Sequence, residues 1–297
     1  MKQLLVFTLL LNVALTIAYL GQNSVNVEAS EEPQGQKLQE LLSHLSVVEV
    51  PIDDEGNTVK TLRFEGVNVQ IVNGLGATNG NPLDPDTTEP AETVTNGLGN
   101  LIVGYQELRD DGNDRTGSHA IIVGAKHNHT SFGALIAGVE NVVSGAFSAV
   151  SGGGFNIASG VASSVSGGGS PDIEDPDLYF GNVASGDFSS VSGGTGNEAS
   201  GSNSSVSGGA GGTASGGSSS VSGGEINSAV QTHASVSGGF GNVAAGGNSS
   251  ISGGGNHTVT GHHSSISGGW GNTVNGQSSH ICGQCGVTTG SSCNVYP

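Results

Sequence analysis

Three cysteines crowd the end of the chain: Cys282, Cys285 and Cys293. Cys282 and Cys285 are separated by two residues, and His280 stands just before them. Thiolates and an imidazole at that spacing suit a tetrahedral Cys₃His zinc site. The pair also suits thiol–disulfide exchange, but the thioredoxin-like βαβ setting for that chemistry is missing. For an exported chain the default is a disulfide, with the odd cysteine free or paired between chains. The expectation is therefore a disulfide or cap among Cys282, Cys285 and Cys293. With His280 they are weak candidates for a metal, and no metal is assigned.

Histidine is the second chemical resource. His127 and His129 flank Asn128, and His262 adjoins His263. A His-x-His pair on a strand places both rings on one face, a possible metal platform. No carboxylate or cysteine stands at ligand spacing, so surface histidines are expected. Serine is abundant, yet a nucleophile elbow needs a strand–turn–helix setting and no such setting is visible. Nor does a unique His/Asp pair match any one serine. The glycine-rich stretches lack the lysine and following helix of a phosphate-binding loop. The reading expects no catalytic residue and no cofactor. Sequons for N-glycosylation occur at Asn128, Asn203, Asn248 and Asn256, and they arise cheaply in so serine-rich a chain.

Charge narrows the partners. The chain of 297 residues has 7 basic and 25 acidic residues, for a net charge of -18. The last basic residue is Lys126. Beyond it lie only Glu140, Asp172, Glu174, Asp175, Asp177, Asp187, Glu198 and Glu225 as charged groups. Without basic residues the repeat region cannot neutralise nucleic-acid phosphates or dock on an anionic membrane. With 53 glycines and 4% aromatic residues, one large core of bulky side chains is excluded. Collagen is excluded too, since glycine does not recur every third residue.

The N-terminus reads as an export signal over residues 1–29: Lys2, then an apolar run from Leu4 to Leu20. Cleavage is expected at about residue 18 or 29, leaving no membrane span; an uncleaved anchor is the alternative. Residues 30–61 read as a linker and a short helix. Leu38, Leu41, Leu45 and Val48 follow 3-4-3 spacing, a coiled-coil-like seam.

The remainder is governed by a repeat. One apolar row falls at Leu135, Val150, Val165, Val191, Val206, Val221, Val236, Ile251, Ile266 and Ile281. Successive members stand fifteen apart, except Val165 and Val191, which stand twenty-six apart. A second row, Val143, Ala158, Ala184, Ala199, Ala214, Ala229, Ala244, Val259 and Val274, keeps the same register. A polar row runs Asn141, Asn156, Asn182, Asn197, Gly212, Asn227, Asn242, His257 and Asn272. Two short extended runs per unit, each aiming one residue inward, bury nothing alone but form a continuous core when stacked. The expected architecture is all-β: a parallel β-solenoid of about 15-residue coils spaced ~4.8 Å apart, with a short N-terminal helix. Stacked asparagines would form a hydrogen-bonded ladder. So thin a lumen favours packing against identical copies.

Around this core the expected layout is as follows. Residues 62–133 are irregular opening coils with a loop at 82–93, marked by Asn73-Gly74-Leu75-Gly76 and its recurrence at Asn96-Gly97-Leu98-Gly99. Residues 134–281 are the regular coils. An 11-residue insertion at 169–179 makes an acidic solvated loop rather than a calcium site, and 282–297 form a C-terminal cap.

Units such as Gly181-Asn182-Val183-Ala184-Ser185-Gly186 followed by Ser189-Ser190-Val191-Ser192-Gly193-Gly194 resemble the head repeats of trimeric autotransporter adhesins, the YadA-like head. The resemblance covers about residues 117–281, and more loosely 62–281. It implies that each repeat is one coil of a left-handed β-roll and that three chains form a trimeric head binding host matrix or other surfaces. The family's coiled-coil stalk and membrane-anchor strands have no counterpart, and no binding residue carries over. The function expected is a secreted or cell-surface, non-enzymatic adhesin-like module, homotrimeric, with matrix, glycan or cell-surface ligands. The alternative is a structural matrix or spacer protein of the cell envelope with no specific ligand. A solenoid lyase or hydrolase would need a cleft of carboxylates or basic residues, and an ice binder flat rows of Thr; both are sparse.

Overall fold

A 15-residue coil that turns at glycine-rich corners leaves room only for very short strands, and the regular coils are built of two-residue runs. The computed structural model describes residues 34–169, 181–283, 285–290 and 294–295. The segment 1–29 expected to be an export signal, the part of the expected 169–179 loop beyond Gly169, and Cys293 lie outside the described residues. The chain divides into two units, Met1–Val69 and Gln70–Pro297.

In the first unit, helix α1 spans Gln34–Ser43. Strand β1 (Leu45–Pro51) pairs antiparallel with β2 (Thr58–Phe64). Leu45 and Val48 of the expected seam therefore lie on β1 and not on the helix. The β-branched run Val47-Val48-x-Val50 prefers a pleated strand, and that local preference outweighs two weak heptads. Asp53 closes the hairpin. Its Oδ1 accepts the N–H groups of Glu55 and Asn57 at 3.1 and 3.0 Å. The Asn57 side-chain amide donating to Oδ2, together with these backbone bonds, holds the Asp53 carboxyl below its ordinary pKa. Since β2 continues to Phe64, the boundary expected at residue 62 falls inside a strand.

The second unit is a parallel β-solenoid of about ten turns. Among the described residues its strands form a 13-stranded and an 11-stranded sheet. In the regular coils the larger sheet takes the Ser-Val runs, such as Ser190–Val191 and Ser205–Val206. The smaller takes runs such as Val183–Ala184 and Glu198–Ala199. Within each of these strands the second residue is fully buried, as period-2 alternation demands. Coils are joined by backbone bonds, for example Ser190 N–H to Ser204 O at 3.0 Å and Val183 N–H to Asn197 O at 2.8 Å. Register survives the long step: Val165 pairs with Val191, and Ala158 with Ala184.

The larger sheet begins with β3 (Leu101–Val103), β4 (Ile121–Ala125) and a strand over Leu135–Val139. Here one expected core residue is corrected. Leu135 is 37% exposed, while Ile136 is fully buried and pairs with Ile122 on one side and Val150 on the other. Both steps are one short of the usual fifteen, because the corners Ile122–His127 and Ile136–Asn141 are each shorter than Val191–Asn197 by a single residue. Counting back by the full period crosses the missing residue and lands on the opposite face. The other members of both apolar rows are buried, at 1% exposure or less.

The segment before β3 is turn-built. Asn73 Oδ1 accepts the Leu75 N–H and Asn96 Oδ1 that of Leu98, while Asn96 Nδ2 donates to Asn73 O at 2.9 Å. Residues 82–93 form a mostly exposed, turn-rich loop. Buried Asn79 pins it by donating to Asp84 O and Thr87 O. Two arginines fasten residues 104–115. Arg115 reaches Gln106 O, Glu107 O and His127 O, and Arg109 reaches Glu140 O while pairing with Asp111 at 2.7 Å.

Candidate functional site

The polar row is a hydrogen-bonded ladder inside the solenoid. Asn141 Nδ2 donates to Ala137 O at 2.7 Å and to Gly153 O in the next coil at 3.0 Å. Its Oδ1 accepts the Asn156 N–H at 2.8 Å. Asn156, Asn182, Asn197, Asn227 and Asn242 repeat the pattern. Each amide thus donates to two corner carbonyls, one of which also accepts a backbone N–H, and satisfies one buried N–H that would otherwise be left orphaned. Gly212 is a gap: its N–H meets Asn197 Oδ1, but it has no amide to hand on.

Two histidines act as asparagine mimics in this ladder. His127 Nδ1 accepts the Asn141 N–H at 3.2 Å, and Nε2 donates to Val123 O at 3.1 Å. In the Asn row, His257 Nδ1 accepts the Asn272 N–H at 3.1 Å, while its Nε2 is buried without a hydrogen bond of good geometry. Acceptance at Nδ1 requires a neutral ring protonated at Nε2. The expectation of surface histidines is corrected for His127 and His129, which are buried. Burial lowers the pKa of His127, His129 and His257, and nearby arginines lower the first two further. His262 and His263 are exposed.

Among the described residues, Cys282, Cys285 and His280 do not converge on a ligand-binding centre. Cys282 is a half-buried and Cys285 an exposed free thiol. His280 Nδ1 lies 2.7 Å from Ser265 Oγ on the neighbouring coil. Among the described residues no group of three or more His, Cys, Asp or Glu stands close enough to hold a metal ion. No helix among them is long and apolar enough to cross a membrane. Of the sequon asparagines, Asn128 has its amide engaged with Asp114 N–H and Gly112 O, whereas Asn203, Asn248 and Asn256 are exposed on corners.

Outward-facing positions repeat as strictly as inward ones. The larger sheet presents two serine columns, Ser190, Ser205, Ser220, Ser235, Ser250 and Ser265 beside Ser192, Ser207, Ser222, Ser237, Ser252 and Ser267. At one corner, parallel bridges align Thr195, Ala210, Glu225, Phe240, Gly255, Trp270 and Cys285. Phe240 and Trp270 are exposed there, as is Ile226. Sequence reasoning missed this cluster, because single aromatics at a glycine-rich corner break no periodicity. It also missed that many corners use non-glycine left-handed residues, Phe188, Asn203, Ser218, His233, Asn248 and His263 among them. Two clefts lie in the opening coils. One, of about 470 Å³, is lined by Gln70, Asn73, Thr78 and His119. The other, of about 230 Å³, is lined largely by threonine and serine, including Thr93, Thr95, Thr130 and Ser144. No protein-family model and no curated protein matches the chain.

Proposed function

We propose that this protein is a non-enzymatic attachment module, exported to the cell surface or medium, that engages its target through the repetitive outer surface of a homotrimeric solenoid. The observation that carries the reading is the constancy of that surface. The same side chains recur coil after coil, with no basic residue beyond Lys126 and three carboxylates between residues 181 and 283. A surface of that kind binds by multiplicity of weak contacts, where avidity exceeds single-site affinity.

Self-association draws support from exposed apolar groups. Leu101, Ile121 and Leu135 form one in-register outward column on the first strands of the larger sheet, where later coils carry serine. In the first unit Leu38, Leu41 and Leu42 of α1 are exposed. Contiguous apolar surface of this kind marks protein contact.

The test pairs light scattering with saturable binding of the purified chain to matrix proteins, glycans and cells. A trimeric mass with saturable binding is expected. A monomer that binds nothing overturns the reading. A trimer without saturable binding favours the spacer alternative.

A further inference from the structure

Resting on the attachment reading, we propose that the corner formed by Ile226, Phe240 and Trp270, with Glu225 beside them, is a binding platform for a neutral oligosaccharide. Phe240 is 42%, Trp270 54% and Ile226 56% exposed. The platform is fixed rather than floppy. Its backbone is bonded coil to coil: Phe240 N–H to Gly254 O at 3.0 Å, and Asn256 N–H to Phe240 O at 2.8 Å.

Gly255 explains how the indole is held. A Cβ there would stand 2.1 Å from Trp270 Cζ3 and 2.4 Å from Cε3, so the ring fills the place of a side chain. Gly255 is not in the left-handed region, so room for the ring, and not backbone conformation, accounts for glycine at this point. The strain at Ile226 is a separate observation. Its φ is 55°, a left-handed conformation that is an outlier for a β-branched residue. From Gly196 onward the equivalent corners carry Gly196, Gly211, Gly241, Asn256, Gly271 and Gly286, whereas earlier coils place Lys126, Glu140 and Phe155 there in the same left-handed conformation. Among the coils from Gly196 to Gly286, Ile226 alone departs from glycine or asparagine at this position, which makes it a candidate functional residue.

The ligand class follows from chemistry. Sugar rings offer apolar C–H faces and hydroxyl edges, which suits an exposed indole and phenyl flanked by polar groups. Glu225 pairs with Phe240 across the corner and would accept hydroxyl protons in charge-assisted bonds. Exposed Asn256, in the coil between the two aromatics, offers an amide. The charged side chains of residues 181–283 are Asp187, Glu198 and Glu225, all carboxylates, so anionic glycans are disfavoured. Phe240 and Trp270 are two coils apart, about 10 Å at ~4.8 Å per coil, so one linear chain can rest on both.

Trp270 is the sole tryptophan of the chain, so its fluorescence reports on this corner alone. The full-length protein is titrated with cellohexaose, chitohexaose and laminarihexaose, and with an oligogalacturonate as the anionic control. A saturable emission change with at least one neutral sugar and none with the control is expected. By calorimetry, Trp270→Ala should weaken binding at least tenfold and Phe240→Ala severalfold, with unchanged circular dichroism. Gly255→Ala, which displaces the ring without removing it, should also weaken binding and serves if Trp270→Ala does not fold. The proposal is overturned by no response to any neutral sugar, by wild-type affinity in Trp270→Ala, or by a lower oligomer mass in that variant, which would make the corner a subunit contact. Loss of sugar binding with cell and matrix binding retained overturns this proposal alone; loss of both overturns the attachment reading as well.

Discussion

Three buried histidines couple the stability of this fold to pH. In the unfolded chain His127, His129 and His257 take up a proton as pH falls through about 6.5. In the folded chain burial lowers their pKa, and a protonated Nδ1 on His127 or His257 would turn a donor toward the N–H of Asn141 or Asn272. The unfolded state therefore binds more protons, so stability is full above about pH 6.5 and declines below it. Thermal melts across pH should show that decline. His257→Asn should lessen it and raise the melting temperature most at pH 5, since an amide does not titrate and restores the missing donor. The ladder itself is testable by denaturant unfolding. Asn197→Ala orphans Gly193 O and Gly212 N–H and removes one of the two donors to Gly209 O, which keeps the Thr195 N–H, and should cost about 1–3 kcal/mol. Gly212→Asn should stabilise by about 1–2 kcal/mol, by closing the gap and by reducing the freedom of the unfolded chain. The Asn row was legible in the sequence, including His257 as its variant. His127 was not, because it stands one position closer to Asn141 than the repeat period and so falls out of the count.

The elements were legible where periodicity is strict and obscure where one residue is missing or local preference competes. From Val143 and Val150 onward both apolar rows could be counted, because glycine corners of constant length keep the alternation in phase. One residue fewer in the corner before Asn141 moved the core from Leu135 to Ile136. Truncation separates the two positions: Ile136→Ala should cost about 3 kcal/mol, while Leu135→Ala should stay below about 1 kcal/mol in the same unfolding assay. In the first unit a 3-4-3 pattern of leucines and valines read as one helix, but valine-rich Leu45–Pro51 found a partner strand in Thr58–Phe64. The aromatic corner had no periodic signature at all. It is recognised only when the coils are stacked and Phe240, Gly255 and Trp270 fall into one column.

For the whole solenoid, stability is a sum of coil and interface contributions, since each coil meets its neighbours alone. The unbroken register on either side of the long step from Val165 to Val191 already shows one coil accepting added chain without disturbing the next. The converse should hold. Deleting residues 205–219 joins Ser204 to Ser220 in phase, and the shortened protein should fold with unchanged circular dichroism per residue and a modestly lower melting temperature. Deleting only 205–218 leaves one surplus residue against the Ser220–Val221 strand, where no corner absorbs it, and should lower the melting temperature further than the in-phase deletion does. Between constant corners a stack of this kind lengthens or shortens most simply by whole coils. Its gene can therefore change by unequal exchange between near-identical repeats, and the reach of the molecule is open to selection as a quantity separate from anything it binds.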